Sequence, residues 1–149
     1  MIIEKKAIQH RDVVSKLVVT DSLENFDSIW EDFLREVYDL YGGAAEIPFY
    51  SFKYSRDSTV GVEMYAPVLK YMPGKNSDFR HHSYFEIGPL LGSRVRRGDE
   101  DETTAVMGRI REHLLENKLV QTSPMFLIPS VDGDVAYTDI FVVYRQLID

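Results

Sequence analysis

The chain has 149 residues, with 17 Lys+Arg against 24 Asp+Glu, a formal net charge of −7 and no cysteine. This length buries a core without metal or disulfide support, and the lack of cysteine excludes a disulfide framework, a thiolate nucleophile and a Cys-ligated zinc or iron–sulfur site. The acidic balance argues against a free-standing nucleic-acid binder, which needs a basic face. The opening Met1-Ile2-Ile3-Glu4-Lys5-Lys6 lacks the basic stretch and long apolar run of a secretory signal, and no apolar run reaches membrane-spanning length. A cytoplasmic protein with neither a nucleic-acid nor a membrane partner is therefore expected.

In chain order, Ile2 to Thr20 is rich in β-branched residues and reads as strand, interrupted near His10-Arg11-Asp12. Asp21 or Ser22 caps a helix from Leu23 to Tyr41, on which Phe26, Ile29, Trp30, Phe33, Val37, Tyr38 and Tyr41 paint one apolar face. Gly42-Gly43 stops it. Two strands follow, Phe49 to Ser55 and Val60 to Lys70, turning around Arg56-Asp57-Ser58-Thr59. A polar, turn-forming linker is predicted at about residues 72–78. Beyond it comes a strand region from Phe79 to Arg97, broken near Gly88-Pro89, then a helix capped by Asp99 and running to about Asn117 with Val106, Met107, Ile110 and Leu114 as its stripe. A second hairpin, Met125 to Val131 and Val135 to Gln146, turns at Asp132-Gly133.

The order β-α-β-β thus occurs twice. Pro48 falls on Pro124 and Glu63 on Asp139 at one offset of 76, while Ser15 and Asp21 fall on Ser93 and Asp99 at 78. The expected fold is α+β, a single domain over 1–149 made of a duplicated β-α-β-β unit with a pseudo-twofold axis. Copy one spans about 1–71 and copy two about 79–149. The antiparallel sheet carries two helices on one face and a cleft on the other, and seams between halves are where ligands tend to bind.

Alternation along the strands sorts the side chains. Val62, Met64, Ala66 and Val68 share one face, Glu63 and Tyr65 the other; Thr138, Ile140, Val142 and Tyr144 oppose Tyr137, Asp139, Phe141 and Val143. The aliphatic faces belong under the helices. Pairing across an even-numbered turn adds Tyr50, Phe52 and Tyr54, and in the second copy Phe126 and Ile128, to the acidic and aromatic face. Such a face suits a flat, apolar, cationic or hydrogen-bonding ligand, since ring faces attract cations and a carboxylate supplies the counter-charge. The same residues also serve as cross-strand packing pairs and solvated acids. The candidate ligand-binding residues are Glu63, Asp139, Tyr65, Tyr137, Tyr50, Phe141 and Trp30, with Glu63 favoured as the functional carboxylate.

Gly98-Asp99 opening the second helix after a basic strand, Glu116-Asn117-Lys118 closing it, and the final strand Tyr137-Thr138-Asp139-Ile140-Phe141-Val142 resemble the GyrI-like superfamily, which includes effector-binding domains of multidrug-sensing regulators of the MerR and AraC types. Thr138-Asp139-Ile140 stands where the family carries Thr-Glu-Ile, and its acidic fourth-strand position falls on Glu63. The resemblance implies a cleft for lipophilic, often cationic small molecules with an inward carboxylate as anchor. The chain departs from it at Arg96-Arg97-Gly98-Asp99-Glu100, which replaces the family's His-x-Gly-Pro-Tyr, and in carrying no helix-turn-helix segment.

His10, His81, His82 and His113 form no metal-binding pattern, and adjacent histidines on a strand point to opposite faces. Gly42-Gly43 and Gly88-Pro89 lack phosphate-loop or dinucleotide spacing and read as turns, and Arg94, Arg96 and Arg97 read as an exposed strand end. No Ser or Thr is grouped with a base for nucleophilic catalysis. No cofactor or metal is therefore called for. A non-enzymatic module that binds lipophilic ligands, including cationic ones, is the leading expectation; a protein-interaction module of accessory or immunity type is the alternative, and a hydrolase using Glu63 as base the third.

Overall fold

The computed structural model of the chain describes residues 2–72 and 78–147; positions 73–77, at the centre of the expected linker, lie outside them. The chain forms two compact units, one of Gln9–Phe85 and one joining the residues up to Ile8 to those from Glu86 onward. The sequence repeat divides at the polar stretch, whereas compactness divides the chain at Ile8–Gln9 and Phe85–Glu86.

The strands are β1 (Ile3–Lys5), β2 (Ile8–Thr20), β3 (Phe49–Tyr54), β4 (Val60–Pro67), β5 (Arg80–Ile87), β6 (Leu90–Arg96), β7 (Leu119–Gln121), β8 (Phe126–Asp132) and β9 (Val135–Gln146). The helices are α1 (Phe26–Tyr41), entered through a single 3-10 turn at Leu23–Asn25, and α2 (Glu100–Glu116). This is the α+β class expected, with antiparallel pairing throughout the registers of β2, β4 and β3 and of β1, β6, β9 and β8. No helix among the described residues is long and apolar enough to cross a membrane.

The strand order is β3-β4-β2-β5 in the first unit and β8-β9-β6-β1 in the second, so the two are built alike. In each, a long strand leads through a helix into a hairpin whose second strand returns beside the long one. The short β7, which periodicity alone did not reveal, pairs with the end of β9. The expected interruption of the first strand is real but lies in two places. The chain leaves β1 before Ile8, and Asp12 adopts a left-handed φ of 52° where β2 begins its register with β4.

The helices form where their caps and stripes dictate. The Ser22 side chain accepts from the Glu24 amide, and α1 ends at Gly42, whose φ of 79° is the left-handed conformation a C-terminal cap requires. The Asp99 side chain accepts from the Glu102 amide, and three further acidic residues in the first turn complement the positive end of α2. Beneath α1, Phe33 and Val37 pack on Val14, Val62, Met64, Ala66, Val68 and Phe79. Beneath α2, Val106, Ile110 and Leu114 pack on Leu91, Val95, Ile140 and Val142. The aliphatic faces therefore lie under the helices, as alternation demanded.

One face assignment differs from the sequence expectation. Tyr50 pairs with Met64 and Phe52 with Val62, so both point toward α1, away from Glu63. The cause is the hairpin loop: Tyr54 pairs with Val60, which leaves five residues in the turn, and an odd loop reverses the parity an even one would give. Asp57 fixes this loop by accepting from the Ser55 hydroxyl and from the Thr59 hydroxyl and amide. Those bonds, Ser55 first, pull its carboxyl pKa down to about 2.

Candidate functional site

On the face of the first unit away from α1, the register sets Ser51 opposite Glu63, Phe49 opposite Tyr65, Ser15 opposite Tyr65 on the other flank, and Leu17 opposite Glu63. Phe49 stacks on Tyr65 with ring centroids 4.9 Å apart, and Phe85 packs on both at 5.5 and 5.2 Å. His82 completes the cluster. Its Nε2 shares a 2.9 Å hydrogen bond with Ser15 Oγ, and its ring lies 6.4 Å from that of Tyr65. Burial, with Arg80 nearby, lowers the His82 pKa and favours the neutral ring. Its neighbour His81 points the other way, bonding Asp12 at 2.9 Å and stacking on Tyr71, as strand alternation requires.

Glu63 is the charged centre of this face. Its side chain is 13% exposed and forms an ion pair with Lys53, whose side chain is 51% exposed. Tyr65 Oη donates to Glu63 Oε1 at 2.8 Å. Burial alone would raise the carboxyl pKa, but the hydrogen bonds from Lys53 and Tyr65, with the charges of Lys53 and Arg80, outweigh it and leave the pKa below its ordinary value. For Tyr65, burial and then the bond to Glu63 push the phenol upward, so it stays a donor. Beside the acid, Leu17 is 53% and Val19 63% exposed. This is therefore an anionic carboxylate fixed between a cation and a phenol, next to reachable apolar surface.

The second unit repeats the theme with other residues. Arg94 grips Asp139 in a two-pronged pair, Nε–Oδ1 at 2.7 Å and Nη2–Oδ2 at 3.2 Å, and its guanidinium lies 5.3 Å from the centre of the Tyr137 ring. Phe141 is 1% exposed, and Lys5 Nζ sits 5.1 Å from its ring centre. Gly92, paired with Phe141, has no room for a side chain, since a Cβ would run into the Phe141 ring and the Ile140 carbonyl. Arg94 is exposed, as expected, and is also the partner of Asp139, while Arg97 reaches the carbonyls of Ser130 and Tyr137.

Of the residues singled out from sequence, Glu63 and Tyr65 meet on one face of the first unit, and Asp139 and Tyr137 share Arg94 in the second. Trp30 and Tyr50 meet each other instead, at 5.1 Å on the α1 side, within an aromatic group that includes Phe26 and Phe52. That side also holds a small cavity of about 120 Å³, lined among others by Ile29, Phe33 and Met64 and by the paired Lys16 and Glu36. Residues that sequence reasoning missed are Lys53, Leu17, Val19, Phe49, Phe85, Ser15 and His82 in the first unit and Arg94 and Lys5 in the second. Arg94 could have been found, because pairing the strand before α2 with the final strand sets it directly opposite Asp139. Lys53 needed the odd-loop register.

No family model matches the sequence, and no curated protein matches it. Solved structures do. The C-terminal domain of EcmrR superposes with a TM-score of 0.68 at 13% identity, covering 99% of this chain and 97% of that one. SAV2435 bound to tetraphenylphosphonium gives 0.57 at 11% identity, covering 97% and 93%. A hydrolase from Listeria innocua gives 0.53 at 10% identity, covering 94% and 92%. At such identities the likeness concerns the fold: the chain shares over nearly its whole length the α+β architecture of these proteins.

Proposed function

We propose that this chain is a GyrI-like small-molecule-binding module that takes lipophilic, aromatic ligands on the sheet face carrying Glu63, Tyr65, Leu17 and Val19. The observation that carries this reading is the company kept by Glu63. A charged, mostly buried carboxylate lies beside an aromatic cluster and two exposed aliphatic side chains, the mixture of apolar wall and few fixed polar groups found in ligand sites. A similar fold in a protein bound to tetraphenylphosphonium supports it. Asp139, Tyr137 and Phe141 form the corresponding face of the second unit. A hydrolase with Glu63 as general base has less support, because such a base works best with a raised pKa and this one is lowered.

Titration with a panel of neutral and charged lipophilic aromatic dyes should raise the melting temperature. Leu17→Ser should weaken the response on the order of ten-fold, the cost of one lost aliphatic contact. Leu115→Ser, at a still more exposed leucine of α2, should leave it alone. No response across the panel, or one indifferent to Leu17→Ser, would contradict the reading.

A further inference from the structure

Both carboxylates on the faces away from the helices are already met by cations of the chain's own. Glu63 uses one oxygen for Tyr65 and the other for Lys53. Asp139 is held by Arg94 through both oxygens. The ring faces that would attract a ligand cation are taken in the same way, Tyr137 by Arg94 and Phe141 by Lys5.

Resting on the reading of the Glu63 face as a ligand site, we infer that Lys53 stands where a ligand's positive charge would stand, so that this face selects anionic lipophilic aromatic ligands over cations of the same shape. A ligand cation would have to evict the Lys53 ammonium or lie beside it, with the Arg80 charge also acting on Glu63. Like charges brought together at a binding surface work against association. An anion meets the opposite situation. The Lys53 head is half exposed on a four-carbon stem, and an ammonium with three donors can keep Glu63 and still donate to an incoming acceptor. The apolar platform is adjacent. Leu17 lies opposite Glu63, Val19 lies opposite Gly61, and a Cβ at Gly61 would come within 3.1 Å of Leu17 Cδ1 and 3.6 Å of Lys53 Cβ. Leu17 and the Lys53 stem thus both border Gly61, which has no side chain to stand between them.

Tetraphenylborate and tetraphenylphosphonium share a shape and differ in sign, which makes them the natural probes for calorimetric titration of the full chain. The wild type should bind the borate at least about ten-fold more tightly. Lys53→Met should bring the two within about three-fold or reverse them, since it removes the half-exposed ammonium and leaves the Glu63 carboxylate without its own cation. Glu63→Gln should widen the gap by releasing Lys53. Arg111→Met, at an exposed position of α2, should change nothing and so controls for general attraction of anions. Circular dichroism confirms folding of each variant. Equal or tighter binding of the phosphonium by the wild type, or a preference unmoved by Lys53→Met, overturns the inference and leaves the ligand-site reading standing. Binding of neutral dyes but of neither ion also overturns the inference alone, whereas no binding of ions or dyes overturns both.

Discussion

The Glu63 carboxyl, the Tyr65 phenol and the Lys53 ammonium form one chain of charge-assisted contacts, and acid should dismantle it. The Glu63 pKa is depressed in the folded state. A depressed carboxyl contributes stability that is fully present above its ordinary value of 4.5 and is lost as the pH falls through the lowered folded value. Urea unfolding of wild type and Glu63→Gln should therefore differ most near neutrality and converge in that acid window. A difference constant with pH would show that the carboxylate's charge is idle. At this scale strand alternation, which needs no partner information, placed both acids and Tyr65 on the faces away from the helices. It did not identify Lys53 or His82. A cation two residues off on a neighbouring strand, and a histidine 67 residues from its serine partner, become visible only once the register is known.

Elements were legible where their signals are local. Asp99, the Val106–Ile110–Leu114 stripe and Gly42 mark helix ends and faces within a few residues, and the structure places them there. The Gly133-centred hairpin gave the right parity for Phe126 and Ile128, which pair with Phe141 and Asp139. The first hairpin gave the wrong one for Tyr50 and Phe52, because a polar loop shows its sequence but not its number of unpaired residues. Close approach is likewise silent in sequence. Gly92 reads as an ordinary strand glycine, yet the Phe141 ring lies across it. Gly92→Ala should cost about 1–3 kcal/mol in urea unfolding, as overpacked sites do. A neutral outcome would mean that the Phe141 ring and the Ile140 backbone carbonyl can both move aside.

For the molecule as a whole, the repeat announced two similar units, and their matching strand orders fulfil that expectation. The pairing of the short strands was beyond it. β1 lies beside β6 and β5 beside β2, so each compact unit borrows its flanking strand from the other half of the sequence. A short strand carries no record of which long strand it joins. Borrowing matters for the proposed site, because His82 and Phe85 come from β5 while Ser15, Phe49 and Tyr65 come from the first half. The face proposed as the site is thus assembled from both sequence copies within one compact unit. Amide NMR mapping of the wild-type chain titrated with tetraphenylborate tests the central claim most directly. Saturable shifts concentrated at Leu17, Val19, Lys53 and Glu63 are predicted; shifts concentrated at Ile29 and Phe33 around the cavity beneath α1, or none that saturate, would contradict it.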